Sequence, residues 1–216
     1  MIGYYNYTVI LTYLALLSGS TGIFFALNNN PFAAIICLLC AGLFDLFDGK
    51  VARTKKDRTM DEKNFGIQID SLSDLISFGV LPACIGYTVG MKEYYFIPIF
   101  VMFILAGFIR LAFFNVRELN VLYGTVQEKS TFYYGMPITM ASLLIPSLYI
   151  LKPFIPNYFY IIYAIFMGVV AILFVAKIKF PKPNKIAIIG LAIFGTLLTI
   201  ASIVIGVLDL NGVFGN

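Results

Sequence analysis

Asp45-Leu46-Phe47-Asp48-Gly49-Lys50-Val51-Ala52-Arg53, a polar connection, and then Gly66-Ile67-Gln68-Ile69-Asp70-Ser71-Leu72-Ser73-Asp74 decide how this chain is read. Four aspartates fall inside two apolar stretches, each long enough to cross a bilayer. An aspartate at mid-membrane costs about 2.5–3.5 kcal/mol on insertion scales, so four unpaired ones would cost on the order of 10 kcal/mol. Such a cluster persists only where something offsets the charge, and that something is expected to be the function of the protein.

The rest of the chain explains why those stretches are membrane spans. Of 216 residues, 60% are hydrophobic and only 12% charged, about half the charged share of a soluble domain. Apolar segments of helix-spanning length recur from end to end, which predicts an all-α polytopic bundle rather than a barrel. Runs and breakers place spans near 7–27, 32–54, 66–90, 95–116, 134–151, 157–177 and 186–208. Asn28-Asn29-Asn30-Pro31 and Pro181-Lys182-Pro183-Asn184 mark two of the joints. No polar stretch is long enough for a separate soluble domain, so 1–216 reads as one transmembrane domain. The N-terminus lacks a basic region followed by a small-residue cleavage site, so the first apolar segment is expected to remain as a helix.

Basic residues orient the bundle. Lys55, Lys56, Arg58, Lys63, Arg117, Lys129, Lys177, Lys179, Lys182 and Lys185 fall on one set of alternate connections, against Lys92 and Lys152 on the other. The positive-inside rule then predicts about seven spans with a cytoplasmic N-terminus. All four aspartates come out in the cytoplasmic half of a cell-membrane protein. The net charge of +4 is spread over these connections and carries no nucleic-acid signature. Cys37, Cys40 and Cys84 lie in apolar segments and read as small buried thiols. The tyrosines at span ends read as interfacial anchors, and Gly86 with Gly90 as helix packing.

Helical spacing brings the acids together. Asp45, Asp48, Gly49 and Ala52 follow i, i+3, i+4, i+7, and Gly66, Asp70 and Asp74 follow i, i+4, i+8. The two spans are antiparallel neighbours, so their acidic faces can meet. Gly49, Ala52 and Gly66 leave room there for a close backbone or a ligand. Oxygen-only donors favour hard divalent cations, Mg²⁺, Mn²⁺ or Ca²⁺, and the lack of Cys and His in the cluster disfavours zinc. Four carboxylates suffice for two ions, an arrangement suited to phosphoryl transfer. With no histidine in the chain, a phosphohistidine intermediate is excluded. A carboxylate not fully committed to metal is the best general base.

These residues match a known signature. Asp45, Asp48, Gly49, Ala52, Arg53, Gly66, Asp70 and Asp74 stand at the positions of D-x-x-D-G-x-x-A-R and G-x-x-x-D-x-x-x-D, and the chain therefore resembles the CDP-alcohol phosphatidyltransferases. The connection Thr54–Phe65 is longer than that pattern usually has. The resemblance implies displacement of CMP from a CDP-lipid by an alcohol, in a six-helix core that pairs as a homodimer. The span 186–208 would then be additional. It also implies that Asp45, Asp48, Asp70 and Asp74 bind metal and that Asp74 is the general base. Asp48, Gly49, Ala52, Arg53 and Gly66 would hold the nucleotide. Asn6 and Thr12 loosely echo polar positions of the family's first helix.

Two further stretches bear on the acceptor. Arg110-Leu-Ala-Phe-Phe-Asn115-Val and Phe132-Tyr-Tyr-Gly135-Met-Pro137 resemble R-L-A-R-F-N-V and F-x-G-L-P of the membrane-integral phosphatidylserine synthases, with Phe113 in place of the second arginine. Serine brings a carboxylate, for which Arg110, Arg117 and Lys129 are candidates, and an ammonium, for which Asn115, Glu128 and Ser130 are candidates. The loop 117–133 would act as a lid. Inositol phosphate and glycerol 3-phosphate are the alternative acceptors within the class. A cation or proton transporter built on the four carboxylates is the alternative of another class.

Overall fold

A computed structural model describes residues 3–125, 132–181, 190, 193–201 and 204. Of the span expected at 186–208, residues 190, 193–201 and 204 are described and are helical, and the others lie outside the described residues. Helices α1 (Ile10–Leu27), α2 (Pro31–Ala52), α3 (Met60–Asp74), α4 (Leu81–Thr88), α5 (Ile97–Leu122), α6 (Ala141–Tyr149) and α7 (Phe159–Val175) make up the bundle. Among the described residues, four helical stretches are long and apolar enough to cross a membrane: Tyr7–Leu27, Pro31–Ala52, Met60–Thr88 and Tyr94–Leu122. Ile138–Phe154 and Phe159–Val175 are apolar but shorter. The described helices therefore follow the first six expected spans.

Local chemistry sets the joints. After α1, Asn29 takes the left-handed conformation at φ 55°, which asparagine tolerates better than most residues. Asn30 then accepts a hydrogen bond from the backbone N–H of Ala33, with Pro31 opening α2. At the start of α3, Thr59 and Glu62 form a reciprocal capping box. That cap fixes where the helix carrying Gly66, Asp70 and Asp74 begins.

α3 does not run straight into α4. Residues Leu75–Val80 form a π-helical turn, and Pro82 follows directly in the first turn of α4. Pro82 has no N–H to offer the carbonyl of Phe78, so the widened turn re-registers the ladder before the helix resumes. The sixth expected segment is straightforward, but the fifth is not. Gly135, at φ 76°, and Pro137 precede a 3₁₀ turn, and regular helix begins only at Ala141. Pro146 stays inside α6. A feature absent from the all-α expectation is a short antiparallel pair, β1 (Phe132–Tyr134) with β2 (Lys179–Pro181), in the register Tyr133 to Phe180. It forms because the segments following α5 and α7 emerge together, leaving extended backbone whose polar groups must find partners.

Small residues and hydroxyls hold the helices close. A Cβ at Gly19 would collide with Ser77 Oγ, so α1 and the π turn are in backbone-close contact. Ser18 donates to the Cys37 carbonyl (2.8 Å), Ser77 to Ala15 (3.2 Å) and Ser73 to Thr12 (3.3 Å). Hydroxyls bonded to neighbouring backbone are a usual adhesive between membrane helices. They pin α1 against both acid-bearing helices. An apolar core containing Leu38, Phe78, Phe103, Ile145 and Tyr163 lies beyond them.

Candidate active site

The acidic faces do meet. Single carboxylate oxygens of Asp45, Asp70 and Asp74 all lie within 4.8 Å of one another. Asp45 is within hydrogen-bonding reach of Asp74, and Asp48 of Asp70. Asp74 is 7% exposed. Asp48 sits at the edge of this group, where Thr12 of α1 donates its hydroxyl to Oδ2 at 3.0 Å. These side chains interact with one another, with Thr12 and the Gly49 backbone and, at Asp70, with the carboxylate of Glu118.

That donor set fits a hard divalent cation. Two ionised carboxylates at such spacing repel by about 3–4 kcal/mol at an effective dielectric near 20. Three of them together therefore call for positive charge in the centre. Every donor is an oxygen, and three converge from two helices held rigid by their packing, which suits Mg²⁺-type coordination better than zinc.

Beside the acids opens a cleft of about 220 Å³. Asp48 and Asp70 lie on its floor, and Gly49, Ala52, Arg53 and Gly66 are among its walls. Thus every residue the sequence assigned to a nucleotide pocket faces one space. A Cβ at Gly49 would meet nothing within 4 Å, so that position is open to the cleft. At Gly66 the vacant Cβ position is taken instead by the Arg58 guanidinium, whose Nη2 lies 2.7 Å away.

The residues assigned to an amino-acid acceptor are less gathered. Asn115 Oδ1 accepts a hydrogen bond from Ser71 Oγ at 2.6 Å, which seats it beside Asp70. Arg110 is buried, with its guanidinium 4.9 Å from the Phe114 ring centre. Arg117 is turned to Tyr134, 5.9 Å from that ring. Phe113, which replaces an arginine of the pattern, is exposed on the outer face of α5. Lys129, Ser130 and Glu128 lie outside the described residues, and the first part of the expected lid, 117–122, is instead the last turns of α5.

Several residues at the cleft were not singled out for it. Thr8, Thr12, Arg58, Lys63 and Glu118 line it. Arg58 and Lys63 read from the sequence only as orienting charge, and Glu118 follows Asn115 by three positions on α5. A network of polar bonds holds the rim. Lys55 Nζ and Asn6 Nδ2 donate to Glu62 Oε1 at 2.9 and 2.8 Å. Bonded to Glu62, the Lys55 ammonium is held above its ordinary range.

Comparison with known proteins finds a family and several relatives. The family model for CDP-alcohol phosphatidyltransferases matches residues 5–176. The archaetidylserine synthase of Methanothermobacter thermautotrophicus is 35% identical over 175 residues, 80% of this chain and 68% of that protein. The CDP-diacylglycerol–serine O-phosphatidyltransferase of Methanocaldococcus jannaschii is 31% identical over 211 residues, 92% of each chain. The enzyme of that same name from Saccharomyces cerevisiae is 33% identical over 144 residues, and there the match spans 61% of this chain and only 51% of the yeast protein.

Proposed function

The chain belongs to the CDP-alcohol phosphatidyltransferase family, and on that premise we propose that it joins L-serine to the lipid phosphate of a CDP-lipid and releases CMP. One observation carries the reading: Asp45, Asp70 and Asp74 converge within 4.8 Å beside a cleft walled by Gly49, Ala52, Arg53 and Gly66. The names of the archaeal relatives support serine as acceptor, and so does Asn115, held by Ser71 next to the acids.

Divalent cations held by Asp45, Asp48, Asp70 and Asp74, two per site and Mg²⁺ or Mn²⁺ by preference, would neutralise charge developing on the diphosphate. The chain's own residues do the rest. Gly49, Ala52 and Gly66 let the nucleotide lie close to backbone, and Asp48 and Arg53 border it. Asp74, buried among the other acids, takes the proton from the serine hydroxyl. The freed oxygen bonds to the phosphorus attached to the lipid. The bond from that phosphorus to the bridging oxygen breaks, and CMP leaves with the electron pair. Arg110 and Asn115 position the amino acid, with Arg117 near the end of α5 and Lys129 and Ser130 of the connection after it as further contacts.

The clustering of basic residues on the connections at this end supports a cytoplasmic site in the cell membrane, and the family resemblance supports a homodimer. Purified protein with Mn²⁺, CDP-diacylglycerol or its archaeal ether counterpart, and labelled serine should release CMP and form a serine phospholipid. CMP release with glycerol 3-phosphate or inositol phosphate but not serine would overturn the acceptor. Ion flux into proteoliposomes without nucleotide, and no CMP release, would overturn the transferase reading.

A further inference from the structure

Arg58 stands apart from the other cations at the cleft. It belongs to the connection between α2 and α3, immediately before the Thr59 cap. Its guanidinium rests over Gly66, with Nη2 filling the place a side chain would take. Nη2 donates to the backbone carbonyl of Glu62 at 3.0 Å. Its Nε, by contrast, is buried and has no hydrogen-bond partner. A buried N–H without an acceptor is a costly state, so this seat leaves the guanidinium incompletely satisfied.

The seat is also in the way. Gly66 walls the cleft, and the benefit of a glycine there is lost while a guanidinium covers it. Gly66 precedes Asp70 by four residues, one turn or about 6 Å along the helix. A side chain with four rotatable bonds covers that distance without moving the backbone. Although Arg58 shares the cleft with Asp48, Asp70 and Glu118, its acceptor is a peptide carbonyl. A bond to a peptide carbonyl leaves the guanidinium's charge able to take up an anion.

We propose that Arg58 is a nucleotide-binding residue that leaves its seat over Gly66 and donates to a phosphate of the bound CDP moiety. The movement satisfies the guanidinium with a charged acceptor, the strongest class of partner for it. It also uncovers the glycine wall for the rest of the nucleotide. This inference rests on the proposed function only through the nucleotide, not through the acceptor alcohol.

Binding of CDP, CMP and cytidine to the full-length protein in detergent with Mn²⁺ tests it by calorimetry. Arg58→Gln should weaken CDP about tenfold, the loss of one charge-assisted contact, and leave cytidine within about twofold. Arg58→Lys, which keeps a point charge, should fall between. Equal losses for CDP and cytidine would mean a structural or base-directed role and overturn the phosphate contact. So would CDP binding unchanged in Arg58→Gln. If Arg58→Gln fails to fold, Arg58→Lys decides the matter by the same comparison of CDP with cytidine. A parent protein that binds CDP yet spares serine refutes the acceptor and leaves Arg58's role standing; one that does not bind CDP refutes both.

Discussion

Thr12 on α1 donates a hydrogen bond to Asp48 on α2, hydroxyl to Oδ2 at 3.0 Å. The first helix thereby orients a carboxylate whose neighbours come from the second and third. Removing an outer partner of a metal-binding carboxylate commonly costs 10–100-fold in metal affinity or activity. Thr12→Val should therefore raise the Mn²⁺ concentration for half-maximal activity by about tenfold or more, whereas Thr12→Ser should keep the bond. A Mn²⁺ titration of CMP release reads both, and an unchanged Thr12→Val curve would show that the bond is idle.

Asp74 is more deeply enclosed than the other acids of the cluster and is the assigned base. Asp74→Asn should lower kcat by about 10²–10⁴-fold, the range for losing a general base. Substituting Asp45 or Asp70 by Asn should mainly weaken metal binding. Single-turnover CMP release at saturating Mn²⁺ separates the cases: extra metal should rescue Asp45→Asn in part and Asp74→Asn hardly at all.

Treatment with a chelator should abolish transfer, and Mg²⁺ or Mn²⁺ should restore it. If relief of carboxylate repulsion is the reason, the same ions should raise the thermal unfolding midpoint of the parent more than that of Asp70→Asn. Equal shifts would place the ion elsewhere.

Gly49 and Gly19 should respond oppositely to alanine. At Gly49 the added methyl projects into open cleft, so Gly49→Ala should leave thermal stability intact while raising KM for the CDP-lipid. At Gly19 it would collide with Ser77 on the facing turn, so Gly19→Ala should destabilise by about 1–3 kcal/mol, as overpacking does. Adding Ser77→Ala should recover part of that loss. Denaturation in detergent and initial-rate kinetics distinguish the two.

The acid cluster was legible in the sequence because helical spacing and adjacency along the chain suffice to place Asp45, Asp70 and Asp74. Positions on two consecutive spans need no knowledge of the remaining packing. Glu118 and Thr12 were not legible as parts of the cleft because they arrive from other helices, and which face of α5 or α1 looks inward depends on tertiary contacts. Arg58 was read only as orienting charge, because a loop side chain has no periodicity to aim it. The π turn at Leu75–Val80 had a visible cause in Pro82, yet an apolar run hides a local change of register. The β pair was missed because three-residue strands separated by a helical hairpin leave no alternation long enough to detect.

That small β pair has a mechanical consequence. By tying the backbone that leads into α6 to the backbone just after α7, it clasps two exits of the bundle into one hem and makes the intervening α6–α7 hairpin a closed stitch. Whatever side of the bilayer one of these exits faces, the other must face too. An impermeant label directed at position 134 and one directed at position 179 will therefore always report the same compartment.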